Sequence, residues 1–307
     1  MMRLPSLIRR HLAAVRALLV LTVITGVVYP LAVWAVALLP GLHGRAEGSR
    51  IERDGKAVGS RLIGQAFTDP RGNPLRQYVQ SRPSNAGSGY DPASTGASNL
   101  GPEDVVDTLP RNPADKAREI AARTARDSLL TQVCARSRAV GALEGVSGAR
   151  PFCTPGGVGA VLSVIGPRDR EGHVTRPTRV VSVNEQCGVV SRPFVTAYKG
   201  VRVECARAGE DYAMGEMVPV RGGAPARPAV PADAVTGSGS GLDPDISPAY
   251  ARLQAPRVAR ARGVSTARVL AAIEDNEDGR VLGFIGEPRV NVLRLNLELD
   301  RKYPYRG

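Results

Sequence analysis

From Ala17 to Leu39 the chain runs for 23 residues without a charged side chain, and most of them are Leu, Val, Ala and Ile. At the α-helical rise such a run crosses a hydrocarbon core of about 30 Å. In lipid, a helix is the one way a lone segment can satisfy its own backbone. The run therefore predicts a transmembrane helix over 17–39, with a short N-terminus over 1–16 and the polar remainder confined to one side. The flanks orient it. Arg3, Arg9, Arg10 and Arg16 precede the run with no acid among them, whereas Arg45 and Arg50 follow it diluted by Glu47, Glu52 and Asp54. The more basic flank stays cytoplasmic, which places residues 40–307 outside the cell membrane. A cleaved signal peptide has a shorter apolar core and a small-residue cleavage site; this run instead ends in Leu-Leu-Pro-Gly. Within it, Thr22, Thr25 and Gly26 share a helical face, with Tyr29 and Pro30 one turn on. Small residues at that spacing let a second helix approach closely, so this face is a candidate partner contact.

The charge of the chain points to no nucleic acid. Its 41 basic and 29 acidic residues give +12, but Arg is scattered, and neither aromatic–basic interleaving nor a zinc pattern accompanies it. An Arg-rich coding bias, or attraction to anionic lipid headgroups, accounts for the excess more simply. Four cysteines, Cys134, Cys153, Cys187 and Cys205, lie beyond the apolar run. An even number in an exported region predicts two disulfides with three possible connectivities. Sequential pairing, Cys134–Cys153 and Cys187–Cys205, is the expectation, against the alternative of free buried thiols. Their spacing lacks the C-x-x-C of a metal site, and no metal is expected.

The outer region reads as α/β or α+β. Residues 50–67 suggest paired strands around Asp54-Gly55, a two-residue hairpin signal. Turn formers dominate from Thr68 to Gly101, a stretch expected to bury little. The Ala- and Arg-rich segment from Pro113 to about Ala139 predicts one helix. Residues 141–230 differ in texture, with Val-rich pieces (159–165, 178–183, 201–205) broken by Gly, Arg and Pro. This predicts a β-rich insertion bearing the disulfides, flanked by an α/β domain over 40–140 and 231–307. In the tail, Ser247-Pro248 is an N-cap followed by proline at the first helical position. Pro256 predicts a break into two short helices before Gly263. Ser265 caps a further helix facing inward through Val269, Leu270 and Ile273. The string from Val290 to Leu299, which alternates apolar and polar from Leu293 on, predicts a half-buried strand.

The catalytic inventory is thin. Gly237-Ser238-Gly239-Ser240-Gly241 matches the G-x-S-x-G of a nucleophile elbow, which would nominate Ser238 or Ser240, but no histidine follows His173 to complete a triad. The same glycines lack the Lys-Ser/Thr of a phosphate-binding loop. No catalytic residue is nominated.

Longer strings carry more information. Thr25-Gly-Val-Val-Tyr-Pro-Leu31 is followed by Gly59-Ser-Arg-Leu-Ile-Gly-Gln-Ala-Phe67, Ser81-Arg-Pro-Ser84 and Ser98-Asn-Leu-Gly-Pro102. In the tail come Val235-Thr-Gly-Ser-Gly-Ser-Gly-Leu-Asp-Pro244, Arg257-Val-Ala259 and Gly286-Glu-Pro-Arg-Val-Asn-Val292. In this order they resemble the KdpC family, the small C subunit of the Kdp potassium-transporting P-type ATPase. The resemblance covers residues 17–105 and 232–301. It implies a non-catalytic accessory subunit that assists assembly and acts as a catalytic chaperone for the ATP use of a P-type ATPase subunit. The implied partners are that ATPase subunit, a K+-channel-like subunit, a small single-span subunit and membrane lipid. ATP and K+ are then handled by the partners, and no cofactor binds directly. Ser98, Asn99, Gly237 to Gly241 and Asp243 become candidate contacts of two Gly/Ser loops with the channel-like subunit. Two departures stand out: Asp245 occupies a place where the family has His, and about 90 residues around the cysteines exceed the family's common length. A membrane-anchored envelope binding module and an exported serine hydrolase are the competing classes.

Overall fold

In a computed structural model that describes residues 6–53 and 55–306, the apolar run is helical as far as Ala37, and the chain divides into two units, 1–62 and 63–307. In the first, α1 (Ser6–Val23) passes through a π-helical turn (Ile24–Val28) into α2 (Tyr29–Ala37). The 30-residue stretch Ile8–Ala37 is long and apolar enough to cross a membrane. The π turn has a local cause. Pro30 has no N–H to give the Gly26 carbonyl and its ring crowds that carbonyl, so the helix widens and Tyr29 N–H bonds Ile24 O instead. The extra residue rotates Tyr29 and Pro30 away from the face that uniform α-spacing gives Thr22, Thr25 and Gly26. Thr25 spends its hydroxyl inside the helix, donating to Leu21 O at 2.8 Å. A short α3 (His43–Ala46) leads into the antiparallel hairpin of β1 (Arg50–Arg53) and β2 (Lys56–Ser60), with Gly55 at φ +73° in the turn. Asp54 and Arg3, used in the reading above, lie outside the described residues.

The second unit packs helices against two sheets. After Ile63 the chain runs without helix or strand to Asn112. A 3-10 turn (Pro113–Asp115) then opens α4 (Lys116–Ala121), which is followed by α5 (Leu129–Glu144). The single helix expected over 113–139 is thus broken: Arg123 adopts φ +59°, and Ser128 starts a new helix, its Oγ accepting from Thr131 N at 3.2 Å. Five strands follow, β3 (Val161–Ile165), β4 (Arg179–Gln186), β5 (Ala197–Tyr198), β6 (Val201–Ala206) and β7 (Glu216–Pro219). They form one sheet of order β5-β6-β4-β3-β7, parallel only between β4 and β6. Both faces are covered: Val161, Val181 and Val183 pack with Leu130 and Leu109, while Leu162, Val164 and Val180 pack with Val174 and Phe194. That explains why β3 and β4 read as continuous apolar runs instead of alternating. Cys134 of α5 is bonded to Cys153 before β3, and Cys187 after β4 to Cys205 of β6, with Cα separations of 5.5 and 5.1 Å. The helix α5 runs across the boundary drawn at 140/141.

The tail holds β8 (Asp245–Ile246), α6 (Pro248–Arg262), α7 (Thr266–Asp275), β9 (Glu277–Asp278), β10 (Arg289–Asn291) and α8 (Val292–Lys302). Two expectations fail here. Pro256 does not divide α6, because it sits on the exposed side, where its missing N–H leaves a carbonyl to water. Nor is 290–299 one strand: only Arg289–Asn291 pairs, between β8 and β9. Asn291 then caps α8 by accepting from Arg294 N at 3.1 Å. The leucines that alternate also fit a helix, since Val292, Leu295, Asn296 and Leu299 fall on one buried face, and Leu, Arg, Glu and Lys favour helix.

A further surprise is the irregular stretch 68–101, which buries more than its composition suggests. Its Arg76–Gln80 segment runs between α6 and α8 and takes its hydrogen bonds from their side chains. Asn296 pairs with both backbone groups of Val79 (2.8 and 2.9 Å), and Gln254 with both of Gln80 (2.7 and 3.1 Å). Arg257 donates to Arg76 O (2.6 Å), Tyr78 O (2.9 Å) and Gln254 Oε1 (2.8 Å), and grips Glu144 of α5 at 2.9 Å. Arg262 donates to Gln77 O at 2.7 Å and lies over the Tyr78 ring. Val79, Gln254 and Asn296 are essentially sealed from water.

Burial pushes the Glu144 carboxyl up, and the guanidinium beside it pulls the other way. Removing one partner leaves the other buried and uncompensated. Glu144→Ala is expected to cost about 3–5 kcal/mol in denaturant unfolding of the detergent-solubilised chain. At the other end of α5, Arg126 holds Asp104 through two 2.7 Å bonds and lowers its pKa, helped by Leu129 N–H. Because the folded value lies below the unfolded one, this contribution is present above the ordinary carboxylate range and is lost as pH falls through the folded value. Asp104→Asn should therefore shrink the drop in unfolding midpoint between about pH 5 and pH 3.

Candidate functional site

The Gly/Ser strings distant in sequence meet in one loop cluster. Arg82 of the Ser81-Arg-Pro-Ser84 turn reaches into the 236–243 loop, donating to Thr236 O (3.3 Å), Gly237 O (3.2 Å) and Asp243 Oδ2 (2.8 Å). Ser84 Oγ donates to Gly241 O (2.6 Å) and accepts from Tyr90 N (2.8 Å). The Tyr90 hydroxyl closes the circuit on Arg82 O. Burial pushes that phenol up to about 12, so it stays a donor. Gly96 N–H bonds Ser240 O at 3.0 Å, and Gly64 N–H bonds Leu242 O at 2.8 Å. Two glycines are sterically required. Gly241 adopts φ +72° with Ala86 2.9 Å from where a Cβ would stand, and a Cβ on Gly64 would lie 2.7 Å from Asp243 O and against the Tyr90 ring.

The cluster continues into the small sheet. Asp243 Oδ1 accepts from Asp245 N (3.0 Å), and Asp245 bonds Asn291 (3.0 Å) and Arg289 (3.1 Å) of β10. Burial raises the Asp245 carboxyl, with Asn291 opposing. Of the residues nominated from sequence, Gly237 to Gly241 and Asp243 are therefore brought together. Ser98 and Asn99 follow on the loop of Gly96, Asn99 exposed at φ +54°. Thr22, Thr25, Gly26, Tyr29 and Pro30 lie on the first unit's helix. Sequence reasoning missed Arg82, Ser84 and Tyr90 as the organisers; the Arg-Pro-Ser string was their only signal.

Chemically this is a braced surface. Ser240 Oγ accepts from Leu242 N at 3.1 Å and Ser238 Oγ from Asp243 N at 3.4 Å, so each serine shapes a turn. His173 is engaged elsewhere, with Glu216 at 3.0 Å. Among the described residues no group of three or more His, Cys, Asp or Glu is placed to hold a metal.

The family model for the K+-transporting ATPase C chain matches residues 11–131 and 210–301. The chain belongs to the KdpC family. Relatives named potassium-transporting ATPase KdpC subunit include one from Mycobacterium tuberculosis (strain H37Rv), 36% identical over 293 residues that cover 95% of this chain and 98% of the relative. One from Kineococcus radiotolerans is 35% identical over 301 residues, covering 98% of each. One from Caulobacter vibrioides is 35% identical over 284 residues, covering 92% of this chain and 88% of the relative. The KdpC match takes in every residue of the loop cluster, the supporting helices α6 and α7, and α8 up to Arg301. It passes over 132–209, which holds most of α5 and strands β3 to β6. The near-complete coverage of the relatives shows that a chain of this length is not peculiar to this KdpC member. The passed-over region is tied to the family core by Glu144–Arg257, by the α5 side chain Arg136 donating to Val235 O at 3.1 Å, and by Arg150 donating to Val230 O at 2.6 Å. The Arg136 bond anchors the residue just before the Gly/Ser loop.

Two glycines of that loop separate packing from display. Gly241→Val forces a positive φ and a clash, and is expected to destabilise by about 1–3 kcal/mol. Gly239 has open space around it and no positive φ, so Gly239→Val should leave the unfolding midpoint unchanged. A thermal melt of each variant checks both.

Proposed function

We propose that this chain is the accessory C subunit of an ATP-driven potassium uptake complex, held in the cell membrane by the Ile8–Ala37 helix with residues 40–307 on the outer side. One observation carries the orientation: two disulfides sit in the large domain, and such bonds persist in oxidising compartments. The basic N-terminal flank supports the same sidedness.

The sequence holds no Asp-Lys-Thr-Gly phosphorylation string and no Walker loop, so ATP hydrolysis and ion selection fall to the P-type ATPase and channel-like partners. The displayed loop, Gly237 to Gly241 with Ser98 and Asn99 alongside, is the proposed seat of the channel-like subunit. The helix face of Thr22, Thr25 and Gly26 is proposed to meet a partner helix. From the outer side this domain does not touch nucleotide. A chaperone effect on ATP affinity is then a coupling free energy transmitted through the membrane helices, and linkage requires ATP to strengthen subunit docking by the same factor.

The test is sidedness. A Met214→Cys variant, exposed and away from the Gly/Ser loop, should react in intact cells with a membrane-impermeant maleimide as fast as it does after lysis. Reaction only after lysis would overturn the orientation.

A further inference from the structure

The hairpin tip between β9 and β10 keeps four large apolar side chains in water. Val281 is 58% exposed, Leu282 78%, Phe284 72% and Ile285 51%. Elsewhere in the second unit the exposed large apolar residues are scattered singly, such as Ile120, Val189 and Met214. A contiguous apolar patch of this kind marks an interaction site.

The tip is built to hold its shape. Val281 and Ile285 exchange both backbone bonds at 2.9 Å, and Arg280 spans the base to Glu287 at 2.8 Å. Gly283 and Gly286 supply positive φ, and Leu282 itself sits at φ +54°. A Leu in that conformation is strained, a condition that clusters at ligand clamps and binding loops. The mount is rigid as well, because β10 between its two neighbours carries the fully buried Val290 and runs directly into α8. A preformed apolar knob loses little entropy on docking.

We infer that the tip Val281–Ile285 is an anchor that inserts into an apolar cleft on another subunit of the transporter, with Phe284 and Leu282 as its central contacts. Charge favours a protein over a lipid surface. The flanking charges are of both signs and already paired, Arg280 with Glu287 and Arg289 with Asp245, whereas membrane-seeking loops carry free cations toward anionic headgroups. Arg289 also joins the tip's strand to Asp245 and hence to the loop cluster, so both displayed surfaces share one support. The inference rests on membership of a multi-subunit transporter and not on the orientation proposed above.

The experiment is co-purification of the full complex through an affinity tag on the ATPase subunit, with this chain carrying Leu282→Asp or Phe284→Asp. Retention should fall by roughly tenfold or more, while both disulfides form and the melt of the lone chain is unchanged. Undiminished retention overturns the proposal. Should the Asp variants fail to fold, Phe284→Ser and a photocrosslinking p-benzoylphenylalanine at position 284 in native membranes replace them. A crosslink to another subunit supports the anchor; a crosslink only to lipid, to a second copy of this chain, or to nothing overturns it. Maleimide sidedness is read separately, so a reversed orientation with lost retention would refute only the orientation.

Discussion

Four side chains from two helices stand in for a missing β-strand. Asn296 and Gln254 pair with the backbone of Val79 and Gln80, while Arg257 and Arg262 collect the carbonyls of Arg76, Gln77 and Tyr78. An unpaired buried backbone group costs about 1–3 kcal/mol, so a segment of this kind has no stable place between α6 and α8 without these partners. Once it is fixed, the next residues, Ser81 to Tyr90, arrive where Arg82 and Ser84 can grip the Gly/Ser loop. The loop cluster thus depends on the clamp, and the display of Gly239 and Ser240 depends on the cluster.

The β-rich region serves the same end. Glu144 and Arg136 of α5 and Arg150 beyond it reach across to Arg257, Val235 and Val230. Two disulfides close loops of 19 and 18 residues within it, each worth about 2–4 kcal/mol through the unfolded state. Residues 132–209, which the family model passes over, build most of the five-stranded sheet, and these three contacts couple that sheet to the matched part of the chain instead of leaving it pendant.

Much of this was legible in advance, and what was not has definable causes. The apolar run, the Asp-Gly hairpin, the Ser247 cap and the valine strands read correctly because each is a local signal. The strand assigned to 290–299 failed because its leucines satisfy both periods and the Asn291 cap decides for helix. The break assigned at Pro256 failed because the exposed side of a helix tolerates a lost N–H. The clamp itself left no periodic trace. Gln254 and Asn296 read as ordinary polar positions on helices, and their meaning comes only from partners 174 and 217 residues away. The glycine loop was legible as a string, whereas Arg82, its organiser, was visible only as one residue of a turn.

The clamp is tested most directly by amide hydrogen exchange at Val79 and Gln80 in the detergent-solubilised chain. Both lie in a segment without helix or strand, yet their N–H groups are held by buried side-chain oxygens. The account predicts exchange as slow as that of Leu295 and Leu299 in the α8 core. Exchange at the rate of the open turn around Gly72 would contradict it.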